Sequence, residues 1–315
     1  MDKIDVSYFE NLDWTSRCEL SKRYIEINDK SEHLAKNYWW MGMDYECLAI
    51  IQAYYFKNIK FAKVFFYQAY LFYKWCMENY KDYSAVIEIE SVTTYQYVNM
   101  YYALLSGDVR YGIEAANLFG MYPELEKDDH KVTKMIGYSL KYTILDDKEN
   151  ALKHLDEIES RKDKKGMKRL ATSFARALRG IVERNEEMMN EGLQNLFKTH
   201  VSQMKSEGRE LETYFAYEAM AVAILAKSRD LNIKVSHRLF CKEYLVDSPE
   251  DTIDFDNINI WTQEYYLKSY DPATKALYKR SKLIDSKASG EENPVFGELI
   301  TTIRFFRYAA MHQPA

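Results

Sequence analysis

The sequence predicts an all-α protein made of degenerate helix–turn–helix repeats, arranged as a TPR-like α-solenoid or as an irregular helical bundle. Three observations predict this class. Glycine and proline number only 11 and 5 in 315 residues, too few for the many tight turns of a β protein. Apolar residues recur with the helical period along much of the chain. No hairpin dipeptide flanked by alternating apolar and polar residues is present.

Three segments carry the clearest helical signals. The stretch from Ile59 to Tyr80 has no glycine or proline and is apolar on nearly every side, which is typical of a helix in the protein interior. Met167–Val182 is amphipathic, with lysine and arginine outside its apolar stripe. Leu211–Lys227 has alanines at helical spacing, which let a neighbouring helix approach closely. These alanines are Ala216, Ala219, Ala223 and Ala226.

Three short breaks between helices resemble one another. Asp108, Asp147 and Asn185 each follow an apolar helical stretch and precede another, and they are spaced 39 and 38 residues apart. Aspartate and asparagine are preferred at the N-cap of a helix. The spacing is close to the length of one α-solenoid unit. The breaks therefore predict three helix–turn–helix units, while ordinary capping in an irregular bundle is the alternative.

The C-terminal third has a different pattern. We expect loops or short turns from Cys241 to Asn259 and a helix from Pro272 to Ile284. The polar tract 286–293 predicts a linker, and Pro294 begins a last helix because proline is tolerated in the first helical turn. The predicted organisation is a helical repeat domain of residues 1–285, a linker of residues 286–293, and a C-terminal helix of residues 294–315 that packs on the same domain.

Composition and motifs exclude several classes of function. The N-terminus is charged and mixed, and no apolar window approaches the length of a membrane span, so we expect a cytoplasmic protein without a membrane partner. The net charge of -5 argues against direct nucleic-acid binding. The four cysteines lack a C-x-x-C pair and the six histidines are scattered, so neither a metal site nor a cofactor is expected.

The chain shows no assembled catalytic motif, and we predict no catalytic residues. Phosphate-binding glycine loops and the G-x-S-x-G elbow are absent. One pair leaves an enzymatic alternative open. Arg307 and His312 have the Arg-x4-His spacing of the HEPN ribonucleases, which would make the chain a metal-independent ribonuclease.

Negative charge is concentrated in one segment. Residues 243–267 contain seven acids and no lysine or arginine, so this segment carries -7 and the rest of the chain +2. Carboxylates mixed with aromatic rings suit docking on a basic protein surface. The predicted partner-binding residues are Asp247, Glu250, Asp251, Asp254, Phe255, Asp256 and Trp261. The alternative is a solvated loop in which the aspartates cap short turns.

A basic stretch contrasts with this acidic segment. Residues from Arg161 to Gly180 include eight lysines and arginines and one acid. We expect either a solvated helix face or ion pairs with the acidic segment.

Three motifs resemble the immunity protein 49 family. They are a Gly-Asp turn in Tyr102–Asp108 (YALLSGD), an alanine-rich helix in Leu211–Ala223 (LETYFAYEAMAVA), and a short extended segment in Arg229–Val235 (RDLNIKV). The resemblance extends from Tyr38 to Leu245. It implies an all-helical antitoxin of a bacterial polymorphic toxin system, which has no shared catalytic residues. Such a protein binds a cognate toxin, often a nuclease, and blocks its active site or its access to substrate.

The predicted function is therefore that of an immunity protein whose partner is a cognate protein toxin. A TPR-like scaffold that binds a short peptide in a concave groove is the first alternative. The metal-independent ribonuclease is the second.

Overall fold

A computed structural model describes residues 42, 45–84, 87, 92–127, 131–160, 168–206, 211–246 and 253–258. All regular elements within these residues are helical, which confirms the predicted all-α class. None of the helices described there is long and apolar enough to cross a membrane. The predicted helix Pro272–Ile284, the linker and the C-terminal helix lie outside the described residues, and the division into domains stays a prediction.

Eight α-helices can be bounded. They are α1 (Ile59–Tyr83), α2 (Val98–Leu105), α3 (Val109–Leu118), α4 (Lys131–Ile144), α5 (Lys148–Glu159), α6 (Lys168–Val182), α7 (Glu186–Ser206) and α8 (Tyr217–Lys227). Residues 45–51 are also helical and continue into a π-helical turn, Gln52–Phe56. Short 3-10 helices are Thr94–Tyr97, Pro123–Leu125, Leu211–Tyr214, Lys242–Leu245 and Phe255–Asn257.

Helix α1 is the interior helix that its sequence predicts. It extends three residues beyond Tyr80, to Tyr83. The side chains of Phe65, Phe66 and Tyr70 are completely buried, and α1 packs against α2 and α3. Asn58 starts the helix by accepting a hydrogen bond from the backbone N–H of Phe61 (3.1 Å). The all-round apolar pattern therefore corresponds to burial on most sides.

The next six helices form three hairpins, α2–α3, α4–α5 and α6–α7. Each turn places one residue in the left-handed region just before the second helix. These residues are Gly107 (φ 88°), Asp146 (φ 61°) and Arg184 (φ 54°). The hairpins are unequal, because their helices have 8 and 10, 14 and 12, and 15 and 21 residues. A TPR-like solenoid therefore stays a prediction.

The three predicted N-caps are confirmed. The side chain of Asp108 accepts from the N–H of Arg110 (2.9 Å), that of Asp147 from Asn150 (3.1 Å), and that of Asn185 from Met188 (3.0 Å). Each cap satisfies one of the backbone donors that the first turn of a helix leaves without a partner.

Helix α8 is shorter than its sequence predicts. The predicted helix from Leu211 is interrupted after Tyr214, and α8 begins only at Tyr217. The break buries the ring of Phe215 against Phe66 (5.7 Å between centroids) and Tyr244 (5.8 Å). Every residue of α8 from 217 to 226 is buried, and the helix packs against α2, α6 and α7. All four alanines of the predicted stripe are buried.

The chain then leaves helical structure. Residues 231–237 form no helix and run along α7. The alternate residues 232, 234 and 236 hydrogen-bond to Glu186, Asn190 and Gln194 of α7, as in an extended chain. Beyond them, the hydroxyl of Tyr244 donates to the carbonyl of Leu105 (2.6 Å). The ring of Phe255 reaches α1. This return path brings part of the acidic segment back onto the first helices.

Helices α6 and α7 make the closest helix contact, and two glycines permit it. A Cβ atom at Gly192 would lie against the backbone of Ala177, and one at Gly180 against that of Met189. We expect Gly192→Ala to lower the free energy of unfolding by about 1–3 kcal/mol through overpacking. Helix propensity alone would raise the stability of Gly192→Ala by about 1 kcal/mol. A loss of stability would therefore show that the close contact between the two helices dominates. Urea unfolding measures it, with the exposed substitution Lys198→Ala as the control. An unchanged or raised stability of Gly192→Ala would contradict the prediction.

Candidate functional site

An aromatic cluster attaches the acidic segment to the helices. The ring of Phe255 lies 4.7 Å from that of Tyr67 on α1 and 5.4 Å from that of Tyr111 on α3. The two tyrosine rings lie 4.6 Å apart. Phe255 is half-buried, and Ile258 is buried. Phe255 therefore anchors residues 253–258 on α1 and α3 rather than projecting freely towards a partner.

Carboxylates surround this cluster. Asp254 and Asp256 are exposed at the short turn that carries Phe255. Asp108 and Glu114 lie on the adjacent α3, at its N-cap and in its second turn. We call this set the acidic–aromatic surface; it comprises Asp108, Tyr111, Glu114, Asp254, Phe255 and Asp256. Two cations accompany its four carboxylates, because Arg110 pairs with Asp108 and Lys74 pairs with Glu114. The surface therefore has two more carboxylates than cations and a net negative charge.

Glu114 is held in place by groups from α1. The hydroxyl of Tyr70 donates to its carboxylate (2.7 Å), and the ammonium group of Lys74 pairs with it. Burial works to raise the pKa of Glu114, but the hydrogen bonds from Lys74 and Tyr70 outweigh it and lower the pKa below its usual value. Burial and the bond to Glu114 raise the pKa of Tyr70. At neutral pH the pair is therefore a fixed carboxylate and a neutral phenol.

Asp108 is a fixed charge for a similar reason. Its carboxylate accepts from the backbone N–H of Arg110 (2.9 Å) and lies 2.5 Å from the guanidinium of the same residue. Burial tends to raise the pKa of Asp108, but the bonds from Arg110 lower it overall. Asp108 thus caps α3 and holds the guanidinium of Arg110 beside the surface.

The structure places three of the seven predicted partner-binding residues on this surface, namely Asp254, Phe255 and Asp256. Asp247, Glu250, Asp251 and Trp261 lie outside the described residues. Sequence reasoning did not connect Asp108, Tyr111 and Glu114 with the acidic segment. The separation of about 140 residues along the chain hides this proximity, and the sequence marked Asp108 only as a helix cap.

The basic stretch forms ion pairs with neighbouring helices. Arg176 pairs with Glu191 of α7, and Arg179 pairs with acids of α5 and with the residue that follows α6. The acids around Arg179 are Asp156, Glu159 and Glu183. These two arginines thus hold α5, α6 and α7 together instead of pairing with the acidic segment.

A buried histidine–glutamate pair joins α7 to α8. The Nδ1 atom of His200 lies 3.2 Å from the carboxylate of Glu218, and its Nε2 lies 2.7 Å from the carbonyl oxygen of Glu212. Both side chains are almost fully buried. A substrate could not reach them, so we assign the pair a structural role.

A cleft of about 310 Å³ lies between the π-helical turn and residues 238–243. Its walls include Tyr54, Tyr214 and Phe240, with Lys57 and Arg238 among its charged lining residues. Cys241 is also there, but burial raises the pKa of its thiol to about 11, so the nucleophilic thiolate is scarce at neutral pH.

No cluster of three or more metal-ligating side chains occurs among the described residues. Arg307 and His312 lie outside them.

The comparisons with known proteins give one match. The model of the family described as immunity protein 49 matches residues 143–240, which run from the end of α4 to the extended segment. The resemblance inferred from the sequence is confirmed over this range. No curated protein and no solved structure matches the chain. The acidic–aromatic surface lies outside the matched range, so its role has to be argued from its geometry.

The lowered pKa of Glu114 predicts a pH-dependent contribution to stability. At neutral pH we expect Glu114→Gln to unfold more easily than wild type. A carboxyl whose pKa is lower in the folded state stabilises above its unfolded-state pKa, about 4.3 for glutamate. This contribution is lost as the pH falls through the folded-state value.

Urea unfolding between about pH 7 and pH 3 measures the difference between the two proteins. The difference should shrink towards zero at the acidic end. Asp82→Asn removes an exposed carboxylate near the end of α1, outside the Glu114 site, and is the control. A constant difference between wild type and Glu114→Gln would contradict the assignment.

Proposed function

We propose that this chain is an immunity protein that binds a cognate bacterial toxin and neutralises it as a stoichiometric inhibitor. The observation that carries the proposal is the match of residues 143–240 to the immunity protein 49 family. The described residues are consistent with inhibition by binding, because the His200–Glu218 pair is buried and burial raises the pKa of the Cys241 thiol to about 11. The proposed place of action is the cytoplasm, as part of a polymorphic toxin system.

We infer further that the toxin is a nuclease and that it docks on the acidic–aromatic surface. Nucleases bind the phosphate backbone with lysine and arginine, so the mouth of their active site is positively charged. The exposed carboxylates of Asp254 and Asp256 match such a mouth in charge, whereas Asp108 and Glu114 are already paired with Arg110 and Lys74. Half-buried rings at Tyr111 and Phe255 add rigid apolar contact area between them.

Coexpression tests the function directly. The proposal requires a toxin gene beside this one. Its toxin domain should stop growth when it is expressed alone, and coexpression with this chain should restore growth. The two proteins should also purify together as a complex with one copy of each. Failure both to rescue growth and to form a complex would overturn the proposal.

Charge reversal tests the docking surface. We expect the double variant Asp254→Lys/Asp256→Lys to slow association with the toxin domain by about tenfold at low salt, because charge complementarity acts mainly on the association rate. The effect should diminish as added salt screens the charges. Stopped-flow or surface-based kinetics at several salt concentrations measures both trends.

Asp82→Lys is the matched control for this experiment. It makes one Asp→Lys change, against two in the double variant, at an exposed carboxylate on α1. Asp82 is 15 residues beyond Tyr67, a rise of about 22 Å along the helix. The control should associate at the wild-type rate. Equal rates for the double variant and wild type would show that residues 253–258 only pack against the helices.

A further inference from the structure

Arg110 lies on the solvent side of the acidic–aromatic surface, where the cap of its own helix holds it. Its Nε donates to both carboxylate oxygens of Asp108 (3.1 and 2.9 Å), and its Nη2 donates to one of them (2.5 Å). The side chain of Arg110 is 80% exposed, whereas that of Asp108 is 22% exposed. The guanidinium therefore stands between a partly buried carboxylate and the solvent.

The charge of Arg110 also acts on the part of the surface that carries Asp256. The hydrogen bonds and the charge of Asp108 raise the pKa of Arg110, and the charge of Asp256 adds to this effect. Burial raises the pKa of Tyr111, and the charge of Asp256 contributes in the same direction. Asp256 thus lies close enough to Arg110 and Tyr111 to interact with both.

The two cations of this surface differ in how firmly they are held. Lys74 is 28% exposed and pairs with Glu114, which also accepts a hydrogen bond from the hydroxyl of Tyr70 (2.7 Å). Arg110 is far more exposed and gives its side-chain hydrogen bonds to Asp108. An ion pair in contact with solvent contributes little to stability. Arg110 is therefore the cation that can leave its carboxylate at small cost.

Departure of the guanidinium would leave the start of α3 intact. Oδ1 of Asp108 accepts from the backbone N–H of residue 110 (2.9 Å). This capping bond uses the main chain and needs no particular side chain at the donor position. When the guanidinium of Arg110 turns away, Oδ2 of Asp108 becomes available to another donor while the cap remains.

A nuclease presents the same chemical group to this carboxylate. Nucleases hold phosphate with lysine and arginine, and a guanidinium can pair with a carboxylate through two parallel N–H bonds. An arginine of the toxin and Arg110 would therefore compete for Asp108. They would also repel each other, because both carry positive charge and approach the same position.

We propose that Arg110 is an internal competitor of the toxin, which occupies Asp108 in the free protein and is displaced by an arginine of the toxin on docking. This role depends on the proposed function and on docking at the acidic–aromatic surface, because the displacing arginine belongs to the toxin. Arg110 lowers the affinity and slows association. It also disfavours partners that have no arginine to take its place, so it acts as a repulsive element of specificity.

Removing the side-chain charge tests the competition. We expect Arg110→Gln to associate with the toxin domain about threefold faster than wild type at low salt, because one repelling charge is gone. Added salt should reduce the difference by screening. Stopped-flow kinetics at several salt concentrations measures both trends. The fold should be unaffected, because the side chain is exposed and the backbone N–H that caps α3 is kept.

Lys198→Gln is the matched control. It also removes one positive charge, at an exposed residue of α7, and should associate at the wild-type rate. If Arg110→Gln associates at the same rate as this control, Arg110 does not compete with the toxin. Slower association of Arg110→Gln would make Arg110 a direct contact of the toxin. Either result would overturn the inference.

Asp108→Asn shows whether the two arginines use the same carboxylate, because asparagine keeps the cap and removes the charge. With Arg110 present, the toxin exchanges one guanidinium for another, so this change should alter the affinity by less than about twofold. In the Arg110→Gln background the carboxylate is unoccupied, and the same change should weaken binding about fivefold. Equal effects in both backgrounds would overturn the displacement.

The outcomes separate this inference from the proposed function. A wild-type complex whose association rate and affinity do not respond to Arg110→Gln would overturn the competition and leave the immunity function standing. The absence of any complex with wild type would overturn both.

Discussion

The burial of α8 over residues 217–226 is the constraint on which the rest of the described structure depends. This helix contacts the first hairpin through α2 and the third through α6 and α7, and its small side chains let these helices approach closely. Burying Glu218 on such a helix requires compensation, which His200 provides from α7. Because α8 is enclosed, the chain that leaves it has to run outside. It passes along α7 and returns to α1, and this path brings Phe255 onto α1 and α3.

Local signals predicted most of the helices, because they depend on residues close in sequence. The all-round apolar pattern identified α1, and short polar side chains after apolar stretches located the caps at Asp108, Asp147 and Asn185. The break before α8 had no such local signal. It depends on the ring of Phe215, which packs between the rings of Phe66 and Tyr244. Both of these residues are distant from Phe215 along the chain. Tertiary packing there overrides the helical preference of the segment.

The candidate surface and the extended segment were predictable only in part, for the same reason. A local excess of acids identified Asp254 and Asp256, but their proximity to Glu114 depends on the fold. The resemblance marked Arg229–Val235 as a short extended segment, and the alternation in Leu231–Val235 is the period-two pattern of such a chain. A search for hairpin dipeptides does not find this segment, because the segment hydrogen-bonds to a helix and not to a second strand. The spacing of four between Glu186, Asn190 and Gln194 becomes informative only when the segment is known to lie beside them.

The acidic–aromatic surface and the range matched by the family model lie in different parts of the chain. Charges and rings on such a surface recognise the side chains of a partner, and like-charged partners are repelled there. If the surface binds the toxin as we propose, discrimination between individual toxins would therefore arise outside residues 143–240.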